Sequence, residues 1–159
     1  MATETIAKAS ALYETDFAEW AETQSGALRR REARELDWDN LAEEIEALAR
    51  NDKRAIRSHL TNLLKHLVKW KIQPGKRTDS AVQEALQSIV NAREELDLII
   101  EDSPSLRSYP SLMFERCYER AFKTALRETA LRCDSENAGP DHSRWTIEQT
   151  LSADFFPEA

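Results

Sequence analysis

From Asp37 to Gln73 the chain contains neither glycine nor proline, and apolar residues return every three or four positions. Leu41, Ile45, Leu48, Ala55, Ile56, Leu60, Leu63, Leu67 and Trp70 fall on one helical stripe. This period predicts a single helix from near Asp37 to about Ile72, with the Asp37 carboxylate placed to accept from the first free N–H groups. Its acidic start and basic end both suit the helix dipole. Asn51-Asp52 is the only point in it that suggests a kink. A helix roughly 50 Å long dictates that the rest of a small chain packs along it.

The rest of the sequence agrees with that demand. The chain has 159 residues with only three glycines and five prolines, and 32% of it is charged. That composition suits a helical protein better than a sandwich or barrel, and the length suits one domain over residues 1–159. Three further segments carry the helical period. The first runs from about Asp16 to Arg31, with Asp16 as cap, Glu19 three residues on as in a capping box, and Phe17, Trp20, Gln24 and Leu28 on one face. Another runs from about Thr78 to Glu101 behind a cap at Thr78, Asp79 or Ser80, and Ser103-Pro104 stops it. The last runs from about Pro110 to Cys133, with Phe114, Tyr118, Ala121, Phe122, Ala125 and Thr129 along one side. Gly139-Pro140 marks a loop. A short turn from Trp145 to Leu151 can open on Thr146, with Gln149 as its capping partner. No segment alternates with period two. The expected fold is all-α: an up-and-down bundle of four main helices, with one long second helix whose excess length is covered by the tail, another subunit or solvent.

Charge is distributed in blocks. Residues 1–49 carry a net −7, residues 50–77 a net +8, and residues 78–159 a net −8, for −7 in all. Within the basic block Arg50, Arg54, Arg57, Lys65 and Lys69 form a stripe, a pattern that can neutralise phosphates. Trp70 between Lys69 and Lys71 can stack on a base. With acidic segments on both sides, internal charge matching accounts for the stripe more simply, and nucleic acid is the weakest of the readings.

Several chemistries are missing from the sequence. There is no phosphate-binding glycine loop, no His-Glu-x-x-His, no Cys-x-x-Cys and no Gly-x-Ser-x-Gly. Ile56 precedes His59 and Leu63 precedes His66 by three, where a di-metal bundle would place Glu. Cys117 and Cys133 fall about 24 Å apart on one expected helix, too far for a disulfide, and Cys117 reads as a small core residue. No apolar run reaches the length of a membrane span, and the first residues do not read as a signal peptide, so a cytoplasmic location is expected. Arg29-Arg30-Arg31 reads as the end of a helix.

The remaining candidates lie on the long helix. Ile45, Asp52, His59 and His66 follow at intervals of seven, with Asn62 between the histidines. Two turns separate the imidazoles by about 10 Å, so one helix cannot bring both to one metal. They can instead be ligands or acid–base groups of a pocket, helped by Glu44, Asp52 or carboxylates of other helices. The alternative makes them interior polar groups paired with Asp or Glu on neighbouring helices. His142 lies in a polar loop and suggests nothing by itself.

Five blocks occur in a recognisable order: LYETDFAEW, ELDWDNLAEEIEAL, LLKHLVKWKIQP, SPSL and WTIEQTLSADFFP. From about Leu12 to Pro157 the chain resembles the bacterial family known as domain of unknown function number 29. The family pattern maps onto Asp16, Trp20, Asp37, Asn40, Leu41, Glu44, His66, Lys69, Trp70, Gln73 and Pro74, and onto Asp154, Phe155 and Pro157. The resemblance implies a small, helical, soluble bacterial protein and carries over no activity and no residue role. No catalytic motif is found, which leaves the question of an enzyme open while leaning against one, and no cofactor is expected. The leading expectation is a protein-interaction or self-associating module that uses exposed parts of the long helix. The alternatives are a metal or small-ligand site at His59, Asn62, His66, Lys69, Trp70, Glu44 and Asp52, and phosphate binding by the basic stripe.

Overall fold

The computed structural model describes residues 2–72, 79–129 and 145–157. Within them the chain is helical and contains no strand. The helices are α1 (Ala2–Thr15), α2 (Phe17–Arg30), α3 (Trp38–Ile72), α4 (Asp79–Asp102), α5 (Tyr109–Thr129) and α6 (Ile147–Leu151), with short 3-10 turns at Ala33–Glu35 and Pro104–Leu106. The all-α expectation holds. The 35-residue α3 matches the predicted long helix to within a residue at its start.

The chain divides into two compact units, Met1–Asn51 and Asp52–Ala159. The division falls at Asn51-Asp52, the one point in the predicted single helix that suggested a kink; the helical hydrogen-bonding pattern of α3 runs on through it.

The second unit has an apolar core. Its stretch of α3 contributes Ile56, Leu60, Leu63, Leu64, Leu67 and Val68, packed with Ile89, Ala92 and Leu96 of α4. Phe114, Cys117, Tyr118, Ala121 and Ala125 of α5 complete it, together with Trp145. Cys117 is the buried core residue expected, its thiol donating to the Arg57 carbonyl at 3.7 Å. Cys133 lies outside the described residues, as do His142, Gln73, Pro74 and the proposed cap at Thr78. The capping box of Thr146 and Gln149 opens α6 as expected.

The first unit is organised around polar groups. Trp20, Gln24, Leu36 and Asp37 are buried together with Ala9 and Ala27. Asp37 Oδ2 accepts from Ser10 Oγ at 3.1 Å, Trp20 Nε1 at 3.4 Å and Asn40 Nδ2 at 2.7 Å. The Asp37 amide donates to Gln24 Oε1 at 2.8 Å, and Gln24 Nε2 donates to the Glu35 carbonyl at 3.4 Å. This corrects the expected role of Asp37. Its carboxylate collects side-chain donors from three elements, while its carbonyl accepts the first α3 bond from Leu41 N–H.

Two other expectations are corrected in this unit. Helix α1 precedes the first one predicted. Its apolar positions are small or scattered, so no stripe announces it, yet its alanines favour helix and Ala9 is buried. On α2 the buried line is Trp20, Gln24 and Ala27, whereas Phe17 and Leu28 are about half exposed. Asp16 caps α2 by accepting from Glu19 N–H, and Arg31 ends it in the left-handed conformation, φ 59°. Tyr13, Phe17 and Trp20 form an aromatic cluster with ring centroids 4.9–5.9 Å apart.

Candidate functional site

The predicted site residues separate by unit. Glu44 lies in the first, where it accepts from the Tyr13 hydroxyl at 2.7 Å. That bond and the nearby acidic charge push the Tyr13 phenol up to about 12. Asp52, His59, Asn62, His66, Lys69 and Trp70 lie in the second. Asp52 accepts from Ser103 Oγ at 3.1 Å, which ties α3 to the end of α4. His59 and Asn62 are half-buried. Trp70 packs its ring 5.2 Å from Phe156 of the C-terminal segment.

His66 has the most distinctive surroundings. Burial, with Lys65 and Lys69 beside it, holds its imidazole down to about 4, against a weaker opposing pull from Glu128. It is therefore neutral at pH 7. Among the described residues neither His59 nor His66 has a hydrogen bond or ion pair, so the carboxylate partners expected on neighbouring helices are not found there. Among these residues no three His, Cys, Asp or Glu side chains are grouped to hold a metal.

The basic stripe is partly matched within the protein. Lys65 reaches Glu128 of α5 at 3.6 Å, and Lys69 pairs with the same carboxylate. The two ammonium groups hold the Glu128 carboxyl below its usual range. Arg50 pairs with Glu46 at 3.2 Å. Arg54 and Arg57 are exposed and make no ion pair among the described residues.

The other open feature of α3 lies in its first stretch. Trp38, Ile45 and Leu48 are 58%, 66% and 67% exposed, with Leu41 half-buried among them. The intervals of three, four and three residues between these four place one apolar stripe along the helix. Glu44 and Glu46 flank Ile45. Residues 38–49 also contain Asp39 and Glu43, and no Lys or Arg.

Sequence reasoning missed one charged residue altogether. Arg93 of α4 is 6% exposed. Its guanidinium donates to the carbonyls of Thr150, Ala153 and Phe155 at 2.9–3.0 Å, and it lies 5.7 Å from the Phe156 ring centre. Burial lowers its affinity for the proton, and Asp154 opposes that. Its position beside Ala92 on the buried side of α4 was the only available signal. Nearby, Trp145 packs against Tyr118 and Phe155, and its indole N–H is buried without a hydrogen-bond partner among the described residues.

Comparison with known proteins gives one match. The family described as Domain of unknown function DUF29 matches residues 12–156. No curated protein and no solved structure matches the chain.

Proposed function

The chain belongs to the DUF29 family, and from that premise we propose a non-enzymatic protein-interaction module whose docking face is the first stretch of α3. One observation carries the reading: Ile45 and Leu48 lie on an apolar helical stripe and are two-thirds exposed. Apolar groups aligned along a helix and left in water are a recurring mark of helix-in-groove or helix-on-helix recognition. The sequence also lacks the catalytic signatures sought in it.

A photo-crosslinking side chain at position 45 or 48 tests this in the living host. The same identified protein should be captured at both positions and not from position 84 on α4. Capture of nothing at 45 and 48, or equal capture at all three, removes the reading.

A second reading rests on His66, whose neutral imidazole has no partner among the described residues. Neutral imidazole is the form that binds a metal or accepts a proton from a small ligand. Zn²⁺ titration followed by calorimetry, with His66→Ala alongside, separates the cases. If the variant loses binding while its melting temperature holds or rises, His66 serves a site. If the melting temperature drops and neither form binds, it is structural.

A further inference from the structure

The open stripe of α3 selects its partner by charge, and this inference rests on the interaction reading above. Trp38, Leu41, Ile45 and Leu48 supply the apolar line. At about 100° per residue, Glu44 and Glu46 stand on opposite shoulders of Ile45. Asp39 and Glu43 complete four carboxylates over residues 38–49, with no cation in that span. Residues 1–49 as a whole carry −7. Glu44 stays an acceptor through its bond from Tyr13, and Glu46 is 74% exposed despite its contact with Arg50.

A two-fold contact between two copies through this stripe would set the same acidic shoulders against each other, because an isologous interface pairs a surface with itself. Like charges brought together at a rim suppress association. A helix with an apolar stripe bordered by Lys or Arg meets both properties at once. Its aliphatic groups cover Ile45 and Leu48, and its cations reach Glu44 and Glu46. We infer that the first stretch of α3 binds a basic amphipathic helix of another protein.

Fluorescence anisotropy of the full chain with a labelled Leu/Lys amphipathic helix of about three heptads tests this, with the equivalent Leu/Glu peptide as control. The Leu/Lys peptide should bind, weaken as salt rises from about 50 to about 300 mM, and leave the Leu/Glu peptide unbound. The double variant Ile45→Asp, Leu48→Asp should lose at least about ten-fold in affinity, a loss of about 1.4 kcal/mol. It does so while adding negative charge, so attraction by general acidity predicts the opposite. Both positions are exposed, and an unchanged melting temperature confirms that the variant folds.

Undiminished binding by the variant overturns the inference, since acidity and not the stripe then holds the peptide. Equal binding of both peptides, lost in the variant, overturns the charge selection and leaves the interaction reading standing. Binding of neither peptide, with dimers in light scattering that the variant abolishes, makes a second copy the occupant and overturns the inference alone. Binding of neither, with a monomer throughout, overturns both.

Discussion

The two stretches of α3 carry the same kind of apolar stripe into opposite surroundings. After Asp52, Ile56, Leu60, Leu63 and Leu67 have no exposed surface, because α4 and α5 supply apolar groups that match them. Before it, Ile45 and Leu48 remain two-thirds exposed. The first unit is organised instead around Asp37, Gln24 and Trp20, joined by hydrogen bonds. Helical periodicity therefore specifies a face, and the neighbours decide whether that face becomes core. Ile45 and Leu48, left in water by their own unit, are free to meet something else.

The largest expected effect breaks the comparison if it fails. Leu63→Ala should cost about 2–5 kcal/mol by removing buried contacts and leaving a cavity. Leu48→Ala should change stability by less than about 0.5 kcal/mol, as exposed sites do. Urea denaturation measures both, and comparable losses would mean that the first stretch is also core.

Next in size is Asp37→Ala, expected to cost about 2–3 kcal/mol by leaving buried donors without an acceptor. Asp37→Asn keeps a carbonyl oxygen and should cost about half as much. If Asp37→Ala is silent, polar organisation of the first unit is wrong. Arg93→Lys should cost about 1–2 kcal/mol, since an ammonium cannot serve three carbonyls as a planar guanidinium does. Limited proteolysis after Leu151 should be faster in that variant, with cleavage elsewhere unchanged.

The smallest effect concerns pH. His66 binds its proton less readily when folded, near 4 against 6.5 unfolded. Between these values the unfolded chain holds more protons, so stability is complete above about 6.5 and declines as pH falls towards 4. Partial exposure of the ring tempers the slope. His66→Gln should flatten melting temperature over that window; an unaltered slope assigns the decline to other groups. Glu128, held below its usual range by Lys69 and Lys65, loses its contribution at lower pH than this.

Long-range order in this chain was legible wherever apolar residues repeat at helical spacing over several turns. That is why α3, α4 and α5 were anticipated from sequence, while the five-residue α6 was marked by its Thr146 and Gln149 cap. Helix α1 was not, because its alanines favour a helix without marking a face. The exposure of Ile45 and Leu48 was equally hidden, since a period records direction and not what lies opposite. Charge matching of Lys65 and Lys69 was expected in kind, and the structure supplies the partner, Glu128. Arg93 was invisible for a different reason. Its partners are main-chain carbonyls some sixty residues away, and every residue has one of those.

Arg93 recognises the course of the chain and ignores the identity of what it binds. At Ala153 the anchored oxygen is one that any residue would present, so side chains there can be exchanged while the segment keeps its route. The reverse also holds: a proline or an insertion that redirects those oxygens would undo the fastening even with every side chain retained. Variation in this stretch is constrained in geometry and permissive in chemistry.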